Sequence, residues 1–156
     1  MDIPTETDWR SEPWNLDIPY AYRHFSTKSL EEAFDLFVDK SLYYQEDIMF
    51  MPLPCFRFYV MAYANYLLSD QSKDDSDGAS CFFGLVESRR DDIRSSSEQL
   101  IAHIIRTLEN LRENQEWFDA DENIYGSFWA QSETCLKQIK AEQNGGGNSA
   151  SLRASP

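Results

Sequence analysis

Residues 51–68 read MPLPCFRFYVMAYANYLL, the most apolar and most aromatic stretch of this chain. A membrane-spanning helix needs about 20 predominantly apolar residues. This stretch is shorter, has two prolines near its start, and contains Arg57 and Asn65. Apolar side chains fall on nearly every face of the helix that Pro54 would start. We therefore predict a central core helix rather than a membrane anchor.

Arg57 is the only charged residue between Met49 and Leu68. A guanidinium on an aromatic helix must reach the surface, stack on a ring or pair with a carboxylate, and we expect a structural pairing. The alternative is a small-molecule pocket beside the guanidinium. Its candidate lining residues are Arg57, Tyr59, Tyr63 and Tyr66.

Capping signals place two further helices. Ser29, with a glutamate three positions on, forms a capping-box pattern and predicts a helix over 30–43. Ser95 has the same spacing and predicts the start of a helix over 98–114. That second segment carries one broad apolar stripe, so it is the clearest amphipathic helix in the chain.

The chain divides into three parts. We expect residues 1–28 to form an extended aromatic N-terminal arm packed on the domain, because three prolines interrupt them. Residues 29–143 form the helical domain, with two more helices over 81–90 and 124–142. Residues 144–156 are rich in Gly and Ser and predict a disordered tail. The fold class expected is all-α, a single-domain bundle of about five helices.

The composition limits the classes of partner. The 156 residues carry a formal net charge of -13, with a pI near 4.4. Such an excess repels phosphate backbones and anionic lipids, so we expect no nucleic-acid or membrane partner, and a basic protein if there is a partner. Three dispersed cysteines and an acidic N-terminus without an apolar h-region predict a cytoplasmic location. The oligomeric state stays open.

Acidic residues concentrate in two places. Glu31, Asp35 and Asp39 recur every four residues along the first predicted helix, and a second group lies in the segment 69–80. If both groups face the same way, they form a negative surface that attracts a basic partner. Plain solvation is the alternative. The candidate partner-binding residues are Glu31, Asp35, Asp39, Asp74, Asp75 and Asp77.

No catalytic, cofactor or metal motif emerges. His24 and His103 lack the helical spacing of a metal pair. The segment 119–130, DADENIYGSFWA, begins like a calcium loop but lacks the required glycine and the final glutamate. Its acids instead predict that Asp121 or Asn123 caps the final helix. We therefore expect a protein without enzymatic activity or cofactor.

Residues 42–90 resemble a family of uncharacterised small bacterial proteins. The resemblance covers IMFMPLPCFRFYVMAYANYLLSD, the acidic segment after it and CFFGLVESR. Val60 and Met61 stand where such proteins often have a second proline, which implies a straighter helix. The family offers no catalytic residues to carry over, and its members are sometimes suspected of neutralising toxins. The residues that carry the resemblance are Pro54, Phe56, Arg57, Phe58 and Tyr59.

Two functions follow as hypotheses. The first is a non-enzymatic, cytoplasmic bacterial protein that binds a basic protein, as an immunity protein does. The second is a small-molecule-binding helical domain with a pocket near Arg57 and the tyrosines of the central helix. The first predicts an exposed acidic face, and the second predicts a cavity into which Arg57 points.

Overall fold

The computed structural model describes the backbone of residues 1–11 and 13–153, and the side chains of these residues as far as Lys140. Over these ranges the fold is an all-α single domain without strands, as predicted. The disordered tail was predicted over 144–156, whereas the described backbone continues as helix through residues 144–153; residues 154–156 lie outside the described residues. The helices are α1 (Glu6–Trp9), α2 (Ile18–Phe25), α3 (Leu30–Phe50), α4 (Leu53–Leu67), α5 (Ser76–Ser88), α6 (Arg90–Arg94), α7 (Glu98–Glu113), α8 (Glu122–Tyr125) and α9 (Phe128–Arg153).

Helix α4 is the centre of the core. It starts after Pro52, with Pro54 in its first turn, and ten of its 15 residues are buried. It packs against α1, α3 and α7, so its apolar side chains meet neighbours on several faces. The central-helix prediction from residues 51–68 is therefore confirmed.

The other long helices enclose α4. Phe37 of α3 stacks on Tyr63 of α4, with ring centroids 4.9 Å apart and planes 5° apart. Helix α7 packs on α4 and α9 through its buried apolar stripe, and α5 contacts both α3 and α9. These five helices, α3, α4, α5, α7 and α9, correspond to the predicted bundle.

The N-terminal arm packs on the domain but is not extended throughout. Helix α1 has a complete capping box at Thr5, and α2 begins with Pro19 in its first turn. A proline in the first turn, as Pro19 is in α2, starts a helix instead of preventing it, because the first turn needs no amide donor. Trp9 is only 3% exposed and lies 6.1 Å from Tyr59 of α4, between ring centroids.

Helix α3 is longer than predicted and contains a kink. The capping box at Ser29 is confirmed, but the helix continues past residue 43 to Phe50, since Gln45 and Ile48 are buried. Lys40 has non-helical angles, φ −150° and ψ 73°. The kink separates two halves of α3, and the second half carries most of the surface discussed below.

Two predicted caps are displaced. Ser97, not Ser95, caps α7, and the Leu100 amide donates to its Oγ at 3.2 Å, whereas Ser95 ends α6. Asp121 caps the short helix α8 rather than the final helix. Gly126, at φ +76°, then separates α8 from α9.

Candidate functional site

The tyrosines of α4 serve the core. The Tyr59 hydroxyl donates to the carbonyls of Phe25 and Lys28, at 2.6 and 2.9 Å, and so ties α4 to the arm. The Tyr63 hydroxyl donates to the carbonyl of Gly78 in α5. Both side chains are fully buried, and burial raises the pKa of both phenols. Buried hydroxyls with satisfied partners are typical of structural tyrosines.

Arg57 is tied to its own chain, although not to a carboxylate. Its Nε donates to the Ser96 hydroxyl, and its Nη2 donates to the Ser95 carbonyl and hydroxyl, each at 3.1 Å. The guanidinium thus closes the C-terminal end of α6, where a positive charge is favourable. The structural pairing that we expected involves carbonyl and hydroxyl oxygens, a combination that the sequence does not single out.

The candidate small-molecule residues are not brought together. Arg57 is engaged with the end of α6, Tyr59 with the arm and Tyr63 with α5. Tyr66 alone of the four lines the large groove described next.

An open groove of about 710 Å³ lies between the part of α3 on both sides of the Lys40 kink and the segment that precedes α5. We call it the α3 groove. Its acidic lining includes Asp39 and Glu46 from α3 and Asp74 from the opposite side. Lys40 and Lys73 also line it, but Lys73 places its Nζ 5.7 Å from the ring centre of Trp117. Two of the predicted acidic segments therefore do meet, at this groove.

Asp75 also lines the α3 groove, but it is a structural residue. One carboxylate oxygen accepts from the Tyr66 hydroxyl at 2.7 Å and from the Ser41 hydroxyl. The other accepts from the Gly78 amide at 3.0 Å and so caps α5. Burial, reinforced by this carboxylate, raises the pKa of Tyr66. Asp75 joins three helices, which leaves Asp74 as the exposed acid of the pair.

The other predicted acids lie elsewhere. Glu31 and Asp35 line a second groove of about 620 Å³ beside the first half of α3. Asp77, at the start of α5, accepts from the Tyr125 hydroxyl at 2.8 Å. The six candidate residues thus occupy three positions, and the kink at Lys40 lies within the lining of the α3 groove.

Exposed apolar side chains accompany the acids of the α3 groove. Val38, Leu42 and Tyr43 are 42%, 50% and 54% exposed, and all three line it. Clustered apolar exposure next to charged residues is typical of protein-binding surfaces. The prediction for this surface considered only its charged residues.

A histidine–aspartate pair lies next to the α3 groove and was not predicted. His24 Nδ1 is 2.7 Å from the Asp47 carboxylate, and the His24 ring packs against Tyr43 and Tyr44. Burial raises the pKa of Asp47, although His24 opposes this shift. The partners are 23 positions apart on two helices, so local sequence gives no signal for the pair.

The three thiols and the second histidine lie in buried or partly buried settings that disfavour reactivity. Burial raises the pKa of Cys55 to about 12 and that of Cys135 to about 11, and Cys81 is shifted in the same direction. His103 Nε2 lies 2.8 Å from the Asn65 side-chain oxygen, and burial lowers its pKa. Among the residues that the structure describes, no three His, Cys, Asp or Glu side chains form a group that could hold a metal ion.

Comparison of the chain with protein-family models, curated proteins and solved structures gives no match. The resemblance over residues 42–90 therefore stays an expectation. No helix within the described part of the chain combines the length and apolar character required to cross a bilayer.

Proposed function

We propose that this chain is a non-enzymatic, cytoplasmic bacterial module that binds a basic protein, in the manner of an immunity protein, through the α3 groove. The observation that carries the proposal is the composition of that groove. Asp39 and Glu46 face Asp74 across it, and Leu42 and Tyr43 are exposed beside them.

Charge favours a basic partner and opposes nucleic acid. The net charge of -13 speeds encounter with a cationic surface and repels phosphates. Carboxylates at a binding surface contribute mainly to association rate and specificity. Affinity then depends on a few apolar anchors, for which the exposed Leu42 and Tyr43 are suited.

The groove is preorganised on its inner side. Asp75 fixes the start of α5 to Ser41 and Tyr66, which line the groove floor. The Asp74 amide donates to the Trp117 carbonyl at 3.0 Å, which holds the opposite wall. A partner that binds here meets a surface already in place, so it loses little free energy to ordering.

A capture experiment tests the proposal. The tagged chain is incubated with extract of its native cell, beside two variants that each lose three negative charges. The groove variant carries Asp39→Asn, Glu46→Gln and Asp74→Asn. The control variant carries Glu87→Gln, Glu98→Gln and Glu122→Gln at exposed positions elsewhere. We expect one basic protein to bind the unmodified chain and the control variant but not the groove variant.

The salt dependence gives a second criterion. Raising the salt from about 0.1 M to about 1 M shortens the Debye length from about 10 Å to about 3 Å and should release the captured protein. Capture that is equal for all three proteins, or that persists unchanged at high salt, would contradict the proposal. The small-molecule alternative stays a prediction, and none of the contacts of Arg57 supports it.

A further inference from the structure

A small cavity of about 160 Å³ opens where the arm meets the end of α3. We call it the arm pocket. Its walls are aromatic and acidic, and it shares Tyr43 and Glu46 with the α3 groove. Its lining residues are Asp17, Tyr20, His24, Tyr43, Glu46, Asp47 and Phe50.

The arm pocket is held together by long-range contacts. Asn15 donates to the Phe50 carbonyl at 3.1 Å and accepts from the Asp17 and Ile18 amides at 2.9 and 3.1 Å. This one side chain joins the start of α2 to the end of α3. The His24–Asp47 contact closes the inner side.

The aromatic walls are open to ligands. Tyr20, Tyr43 and Phe50 are 57%, 54% and 40% exposed, although each lines the cavity. Aromatic faces attract organic cations through the ring quadrupole, most strongly where several rings surround one cation. Arg23 places its guanidinium 5.8 Å from the Tyr20 ring centre, so the chain's own cation already contacts this ring, and a ligand relies mainly on Tyr43 and Phe50.

The acidic residues determine which ligand charge the arm pocket favours. Asp17, Glu46 and Asp47 contribute carboxylates, of which that of Asp47 contacts His24, the one basic side chain among the lining residues. A site with this balance repels anions and favours a monovalent cation. Its volume corresponds to about five water molecules, which suits an ammonium group with its nearest methylenes.

We propose that the arm pocket binds an alkylammonium group, specifically the lysine side chain of the basic partner. The lysine identity rests on the proposed function, whereas the ammonium site does not. Lysine fits better than a metal ion because three of the seven lining residues are Tyr or Phe, whose rings suit the lysine methylenes, whereas Ca²⁺ and Mg²⁺ take oxygen ligands. A bound lysine would anchor the partner at the edge of the α3 groove.

Nuclear magnetic resonance titration of the ¹⁵N-labelled full chain tests the site without the partner. The probes are N-acetyl-lysine amide and tetramethylammonium chloride, with N-acetyl-norleucine amide as the uncharged analogue and sodium chloride for matched ionic strength. We expect saturable, millimolar shifts around Tyr20, Tyr43 and Phe50 with both ammonium probes only. Equal shifts from the norleucine analogue or from calcium chloride would overturn the proposal.

Matched variants locate the site. Tyr43→Leu should weaken ammonium binding by about threefold to tenfold, because it removes one ring face. Trp129 is the control, since it is 53% exposed and lies under Arg112 instead, so Trp129→Leu should leave the affinity unchanged. Glu46→Gln, which keeps the side-chain size, should also weaken binding, and Glu87→Gln should not. Unchanged affinity in both Tyr43→Leu and Glu46→Gln would overturn the proposal.

The two proposals can fail separately. If a basic partner binds through the α3 groove but the ammonium probes leave the arm pocket unshifted, the pocket proposal is wrong and the proposed function stands. If the probes shift the pocket but no basic protein depends on the groove, the proposed function is wrong and the ammonium site stands.

Discussion

The tyrosines of α4 and those around the arm pocket serve different purposes. Tyr59 and Tyr63 are fully buried, and their hydroxyls donate to backbone carbonyls of other helices. Tyr20 and Tyr43 are more than half exposed and lie among carboxylates. Aromatic density marks both regions in the sequence, but hydroxyl partners and exposure distinguish core from binding surface.

The largest expected effect compares one tyrosine from each region. Tyr63→Ala should lower the free energy of unfolding by about 3–5 kcal/mol, because it leaves a cavity against Phe37 and Phe82. Tyr43→Ala should change it by about 0.5 kcal/mol or less. Urea unfolding followed by circular dichroism measures both, and equal losses would erase the distinction.

Alkaline pH should act on the core tyrosines as a group. Tyr59, Tyr63 and Tyr66 have pKa values raised by burial, so above about pH 10 the unfolded state loses these protons first. Stability is complete below that pH and falls as the pH rises. The slope approaches about 4 kcal/mol per pH unit if all three contribute. Urea unfolding from pH 8.5 to pH 10.5, at roughly half-unit steps within this range, measures it. A flat stability profile would show that these phenols ionise equally in both states.

Adjacent aspartates provide a matched pair at the α3 groove. Asp75→Asn should cost about 1–3 kcal/mol of stability, because one amide oxygen cannot replace both carboxylate oxygens toward Ser41, Tyr66 and Gly78. Asp74→Asn should leave stability within about 0.5 kcal/mol, since Asn also tolerates the φ of +65° there. Asp74→Asn should nevertheless weaken capture of the basic partner. Thermal unfolding compares the two, and a larger loss for Asp74→Asn would reverse the assignment.

Of the two substitutions predicted for the core helix α4, Arg57→Met should lower the free energy of unfolding less than Tyr63→Ala. Arg57→Met keeps the apolar stem and removes the hydrogen bonds to Ser95 and Ser96, at a cost of about 1 kcal/mol. Partner capture should be unchanged, because these contacts lie at the end of α6. Loss of capture in a folded Arg57→Met protein would instead favour the hypothesis of a functional pocket around Arg57.

Local sequence predicts the features that depend on local physics. The apolar character of residues 51–68 predicts that α4 is central, and the capping box at Ser29 predicts the start of α3. Features made by distant residues have no such signal. The Arg57 contact with Ser95 and the His24 contact with Asp47 join separate helices, and nothing in the spacing of these residues links them.

The α3 groove shows the same limit. The sequence marks Asp39 and Asp74 as members of two acidic groups, but only the packing of α3 on α5 brings them to one groove. The kink at Lys40 follows no proline or glycine, so its direction could not be predicted from the residue types. Asp75 resembles its neighbour in sequence and differs through its three partners.

The most direct measurement is the affinity of the captured basic protein for the unmodified chain, the groove variant and the control variant, by titration calorimetry at increasing salt. We predict equal affinity for the unmodified chain and the control variant. The groove variant should bind at least about tenfold more weakly, a loss of about 1.4 kcal/mol, with the difference shrinking as salt rises. Equal affinity for all three at low salt would contradict binding through the α3 groove.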